Sequence, residues 1–142
     1  MLKVVIDTNV LVSALLKDNS PPAFILALLR RKVMTLCLSK DIYEEYRAVL
    51  NRDKFRGVRD EAAPLLLSIK KGVLWLEPKT RITEITEDPA DNKFLECAHE
   101  AGADFLITGN TKHFPFKSFR NTRVVSPQAF IENTLEQIIR LK

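Results

Sequence analysis

The chain contains no apolar run approaching the roughly 18–20 residues that would cross a bilayer. Its opening Met-Leu-Lys-Val-Val-Ile-Asp has neither the long apolar region nor the small-residue cleavage site of a secretory signal. Cysteine is scarce: Cys37 and Cys97 are the two present, each within an apolar pattern, so buried free thiols are expected rather than a disulfide or a metal site. With no membrane anchor expected, these features point to a cytoplasmic location. Repeats, low-complexity tracts and linker-like stretches are also missing, so residues 1–142 read as a single domain. At 46% hydrophobic and 28% charged, the composition excludes a disordered chain.

Neither sign of charge dominates. Lys and Arg total 22 against 18 Asp and Glu, a net charge of +4 that tilts modestly toward an anionic partner. The cations gather at Arg30-Arg31-Lys32, between Arg52 and Arg59, at Lys70-Lys71, and between Lys112 and Arg123. Each cluster reads equally well as a solvated helix C-terminus, where cations favour the helix dipole.

Five short apolar runs read as strands, at residues 2–6, 34–38, 73–76, 104–108 and 123–126. They are continuous rather than alternating, as in strands covered on both faces. Helical patterns separate them: 9–16, 22–31 behind Ser20, 40–50 behind Ser39, 61–71 stopped by Gly72, 89–101 between Asp88 as N-cap and Gly102, and 127–139 opening with Ser-Pro. Strands alternating with helices predict right-handed crossovers, a parallel sheet and an α/β/α sandwich. Such sheets work at the carboxyl ends of their strands, near a topological switch point.

Three carboxylates meet that positional test. Asp7 ends the first strand; on position alone it is as easily a helix N-cap as a functional group. In the helix 40–50 the apolar stripe is Ile42, Tyr46, Val49 and Leu50, which puts Glu44 toward solvent and Glu45 on the stripe's border. Asp91 falls on the face that carries Phe94, Leu95, Ala98 and Ala101, a costly place for a carboxylate that is not paired, capped or metal-bound. Asp88 is explained more simply as a cap, with a secondary role at the site. Thr108 and Asn110 close the fourth strand at the same edge, with Gly109 permitting a tight turn and Asn110 able to offer an uncharged oxygen to a cation. Clustered carboxylates raise one another's pKa until a cation neutralises them, and oxygen-only ligation suits Mg²⁺ or Mn²⁺ rather than zinc.

The segments Val-Val-Ile-Asp-Thr-Asn-Val-Leu-Val-Ser (4–13), Ser39 through Leu50, Asp-Pro-Ala-Asp-Asn-Lys-Phe-Leu-Glu-Cys-Ala (88–98) and Gly-Ala-Asp-Phe-Leu-Ile-Thr-Gly-Asn-Thr-Lys-His-Phe (102–114) resemble the PIN-domain proteins. The likeness spans essentially the whole chain and is greatest to the prokaryotic group described as PIN-type toxin components. It implies a sheet order of 3-2-1-4-5 and a Mg²⁺- or Mn²⁺-dependent endoribonuclease acting on single-stranded RNA. It carries over Asp7, Glu45 and Asp91 as the acidic cluster, with Asn9 and Thr108 as supporting positions. A fourth acidic position of many members falls on Asn110, which argues against tight binding of a second ion; Asp88 or Asp104 are the candidates to compensate. The resemblance also implies a small antitoxin protein partner and homodimerisation, or a higher oligomer, through helices on one side of the sheet.

Two other classes compete. One is a PIN-like module that has lost catalysis and binds RNA or protein. The other is a phosphohydrolase with Asp7 as nucleophile, although that class wants a second Asp where this chain has Asn9. His99 reads as an exposed mid-helix residue, and His113 as near enough to the edge to touch RNA. Phe114, Phe116 and Phe119 with Lys117 and Arg120 read either as a base-stacking clamp or as a loop anchored into the core.

Overall fold

The computed structural model describes residues 1–52, 59–85, 88–114 and 116–140. Most of the basic stretch between Arg52 and Arg59 therefore lies outside the described residues. The strands are β1 (Leu2–Ile6), β2 (Met34–Ser39), β3 (Leu74–Leu76), β4 (Phe105–Ile107), β5 (Ser118–Phe119) and β6 (Thr122–Val125). The helices are α1 (Thr8–Leu16), α2 (Pro21–Arg30), α3 (Lys40–Leu50), α4 (Arg59–Lys71), α5 (Asn92–Ala101) and α6 (Pro127–Arg140).

The strands form one sheet in the order β3-β2-β1-β4-β6-β5, with helices on both sides. All neighbours are parallel except β5 and β6. Counting the parallel strands alone, the order is the 3-2-1-4-5 that the resemblance implies. The addition is β5, two residues long and joined to β6 by a tight turn in which Arg120 takes a positive φ of 56°. Its polar, charged run Lys117-Ser118-Phe119-Arg120 carries no apolar period, so its pairing comes from the turn rather than from burial.

Local chemistry explains the boundaries. Ser20 and Ser39 accept from the backbone N–H groups of Ala23 and Ile42, capping α2 and α3 where expected. Gly102 ends α5 in the left-handed conformation, φ 63°, that glycine adopts without a Cβ penalty. The expectation for Asp88 is corrected: its side chain makes no cap bond, and a 3-10 turn, Pro89–Asp91, precedes α5. The buried Asn92, the first residue of α5, makes the side-chain bonds at this corner, and they are not cap bonds. Its amide accepts from Ile85 N–H at 2.9 Å and donates to the carbonyls of Ile85 at 3.0 Å and Pro89 at 3.1 Å. This ties the preceding loop to the helix start and fixes where Asp91 stands.

Val4, Val5, Leu38, Leu106 and Ile107 are fully sequestered in the sheet, with Phe94, Leu95 and Ala98 from α5 packed against it. Phe130 of α6 meets Phe105 edge-on at 5.2 Å. Cys37 and Cys97 are free and buried, and burial pushes their thiols up to about 11 and about 12, away from thiolate chemistry. Among the described residues no helix is long and apolar enough to cross a membrane.

Candidate active site

The sheet order creates a switch point. From β1 the chain moves outward to β2 and β3, then returns to the other side of β1 as β4. At the carboxyl ends of β1 and β4 the two strands therefore diverge into different connections, leaving a crevice. Asp7 follows β1 and Thr108 follows β4, and Thr108 Oγ1 donates to Asp7 Oδ2 at 2.7 Å across it. The ladder extends up to this point, with Asp7 N–H on the Ile107 carbonyl at 2.9 Å and Thr108 N–H on that of Val125 at 2.9 Å. Thr108 Oγ1 also accepts from Asn110 N–H at 3.0 Å, so one buried hydroxyl sets both Asp7 and the turn after β4.

Asp7 is buried, yet its carboxylate also caps α1 by accepting from Asn9 N–H at 3.4 Å. Capping and site readings are thus compatible, because Oδ1 faces the helix and Oδ2 faces Thr108. Burial raises the Asp7 carboxyl above its ordinary value, the Thr108 hydroxyl and the Asn9 N–H pull it back, and the charge of Glu45 adds to the rise. Asn9 contributes through its backbone; the residue is exposed.

Glu45 is delivered by α3. The phenol of the fully buried Tyr46 donates to the carbonyl of Ile6 at 2.5 Å, pinning the helix to the end of β1. Glu45, one residue earlier, then meets Thr8, whose hydroxyl donates to Glu45 Oε2. Glu44 is exposed and faces Lys40 instead, as helix geometry predicts. On its other oxygen Glu45 receives Lys93 Nζ at 2.6 Å, with the two side chains only 28% and 16% exposed. This is the closest and least exposed ion pair among the described residues.

Asp91 stands at the head of α5, partly exposed, with no capping hydrogen bond from its side chain. Burial, then the negative charges of Asp7, Asp88 and Glu45, push its carboxyl up to about 6, with Lys93 acting against them. Four acidic residues from three segments thus sense each other at one edge. Asp88 belongs to this set through its charge, exposed at the rim. Asp104 does not: its N–H donates to the Lys3 carbonyl at 2.8 Å and its Oδ2 accepts from Lys3 N–H at 2.9 Å. It therefore sits at the amino end of β4, roughly 10 Å of strand away, and cannot complete the cluster. Asn110 opens the 3-10 turn Thr111–His113 at the site's margin, without a side-chain cap bond.

The oxygen-only donor set fits a hard divalent cation. The geometry does not yet clasp one: among the described residues no three of His, Cys, Asp and Glu stand together as a ligand group. What the acidic edge does hold is a cation of its own, the Lys93 ammonium.

The basic clusters divide by the logic of the fold. Arg30 to Lys32 end α2, and Lys70-Lys71 end α4, each just before a strand begins. In a parallel α/β unit helix C-termini abut the amino ends of strands, so these cations lie away from the acidic edge and serve the dipole. Arg120 and Arg123 lie over the rings of Phe119 and Phe105 at 4.9 and 5.8 Å. Phe114 is buried and Phe116 and Phe119 pack against the core, so the loop-anchor reading holds over a base clamp. His99 and His113 are exposed. The cations at the working edge are others. Lys93 and Arg81 line two clefts of about 440 and 210 Å³, the smaller also lined by Lys79, and both carry the carboxylates of Asp41 and Glu96 as well. Sequence reasoning missed Lys93, Tyr46 and Asn92 as site-forming residues. The one available signal was that Lys93 falls two residues after Asp91 in a segment already singled out.

Residues 3–112 match the family model described as "PIN domain". An uncharacterized protein of Methanocaldococcus jannaschii is similar, 29% identical over 92% of this chain and 90% of its own length. With the match running from β1 through β4 and including every carboxylate at the switch point, the chain belongs to the PIN-domain family, whose members are in general metal-dependent nucleases.

Proposed function

We propose that the chain is an endoribonuclease that hydrolyses single-stranded RNA with Mg²⁺ or Mn²⁺ held by Asp7, Glu45 and Asp91. The observation that carries this reading is the placement of Asp7, Glu45 and Asp91 at one edge of the sheet, where burial and the charges of Asp7, Asp88 and Glu45 push the Asp91 carboxyl up to about 6. Carboxylates that repel one another at a strand edge are arranged for a cation. When bound, such an ion supplies an activated water and a counter-charge for the phosphodiester in transition. The chain's own part is to hold the ligands: Thr108 orients Asp7, Thr8 orients Glu45, and Asn92 fixes the turn that presents Asp91. Lys79 and Arg81 in the neighbouring cleft suit a phosphate backbone arriving from the β3 side. Asp7→Asn, incubated with a mixed RNA pool with and without Mn²⁺, should lose cleavage while its circular dichroism is unchanged. Undiminished metal-dependent cleavage by that variant would sink the assignment.

Asn110, at the fourth corner of the site, favours a second reading in which catalysis is lost and the domain binds RNA or protein. Titration with Mn²⁺ separates the two, since a lapsed site should not bind it. A toxin role, with an antitoxin encoded next door, rests on resemblance to the toxin group, and the gene neighbourhood tests it. Self-association is supported by Leu16 and Phe24, apolar side chains 51% and 41% exposed on α1 and α2.

A further inference from the structure

Lys93 stands in an unusual place for a lysine. It is 16% exposed, on the first turn of α5, where the helix dipole favours negative rather than positive charge. The side chain is mostly covered, its ammonium lies 5.5 Å from the Phe94 ring and gains nothing from the helix dipole, and a carboxylate partner holds it. That partner is Glu45, at 2.6 Å. The same ammonium counters the negative potential on Asp91. Meanwhile the three carboxylates are not drawn into one ligand group. The oxygen of Glu45 not bound by Thr8 is the one that Lys93 occupies.

We infer that Lys93 is a built-in counter-ion, which occupies Glu45 in the metal-free protein and must leave that oxygen before a divalent ion is bound. The inference rests on the metal-site reading above. It makes Lys93 a positioning residue that acts through Glu45. It sets the metal affinity below what the carboxylates alone would give, and it keeps the empty site from flying apart by mutual repulsion. The freed side chain has somewhere to go, because Lys93 also lines the open cleft formed with Arg81, Thr83 and Pro89. Lysine suits exchange of this kind: its compact charge sits on a flexible stem and makes no rigid bidentate fork.

The test is calorimetric titration of Mn²⁺ into the full-length wild type, Lys93→Met and Lys93→Arg, with melting of each in chelator. Lys93→Met should bind Mn²⁺ at least about tenfold more tightly than wild type, roughly 1.4 kcal/mol, and should melt lower when metal-free. Lys93→Arg, which keeps the charge and can hold Glu45 with a bidentate fork, should bind Mn²⁺ no more tightly than wild type. A second measurement uses the unaltered protein: acetylation of Lys93, followed by mass spectrometry, should speed up several-fold at saturating Mn²⁺ while that of the exposed Lys40 stays constant. A Met variant that folds only with Mn²⁺ supports the inference. Equal or weaker Mn²⁺ binding by Lys93→Met, or acetylation of Lys93 indifferent to metal, overturns it and leaves the metal site standing. If neither wild type nor Lys93→Met binds Mn²⁺, the metal-site reading itself falls, and the counter-ion falls with it.

Discussion

Replacing Asp91 by Asn should make the metal-free protein more stable at neutral pH, the reverse of what most substitutions do. In the folded chain the Asp91 carboxyl titrates at about 6 rather than at 3.8. The folded state thus keeps a proton over a pH range in which the unfolded chain has released it, and it is stabilised by that proton. The contribution is complete below about pH 4 and is lost as pH rises through about 6. Taken whole, the rise from 3.8 to about 6 is worth about 3 kcal/mol. Asp91 is partly exposed, so solvent screening reduces this to about 1–1.5 kcal/mol. The charge also gains a few tenths of a kcal/mol from the α5 dipole, which the amide forfeits. Because the Asp91 side chain makes no capping bond, the substitution breaks none. The net expectation is a gain of about 1 kcal/mol at pH 8, a rise in melting temperature of roughly 3 °C. Thermal melts in chelator from pH 4 to 8 would show the two proteins converging at the acid end. Excess Mn²⁺ should then reverse the ranking, since wild type gains about 2.7 kcal/mol at a hundred times its dissociation constant and the variant loses that linkage. A variant less stable than wild type at pH 8 in chelator, or a gap between the two that is the same at every pH, would refute the reasoning.

Thr108→Val removes a hydrogen bond to a buried carboxylate and the acceptor of Asn110 N–H, and should cost about 2 kcal/mol by urea unfolding at pH 7. Because that hydroxyl lowers the Asp7 pKa, the loss should shrink as acid protonates Asp7. Asn110→Asp places a further carboxylate at the margin of the crevice; calorimetry should show tighter Mn²⁺ binding or a second equivalent, alongside a lower metal-free melting temperature. An unchanged isotherm would mean that position 110 does not face the site.

The parts of the fold that could be read from sequence are those governed by short-range chemistry. Ser39 before a polar-apolar helical pattern, Gly102 after one, and uninterrupted runs such as Val4-Val5-Ile6 each state a local preference that the packed structure keeps. β5 was not legible because two residues held by a turn have no period to detect. Asp88 was misread for a related reason. Asp before Pro is a strong capping signal, but the 3-10 turn moves the helix start to Asn92, whose buried amide ties the preceding loop to the turn without capping the helix.

At the site, the clustered carboxylates could be read from the sequence and the residues that arrange them could not. Asp7, Glu45 and Asp91 betray themselves by being acidic where the pattern is apolar. Their supports look ordinary for their positions: Tyr46 is one more member of an apolar stripe, and its bond to the Ile6 carbonyl appears only when α3 crosses the end of β1. Lys93 is a solvent-type residue at a helix start until Glu45, 48 positions earlier, is folded against it. The charge clusters, left open between a helix C-terminus and an anion-binding face, fall on the first reading at two places. Cations are abundant at Arg30 to Lys32 and at Lys70-Lys71 because helices end there, and helices end where parallel strands begin. In this architecture a count of basic residues thus weights the edge opposite the carboxylates. On the proposed nuclease reading, the cations placed to meet an RNA strand are the sparse ones, Lys79, Arg81 and Lys93, in segments that follow a strand or begin a helix. A cation after a strand is therefore better evidence of function in such a sheet than a cluster before one.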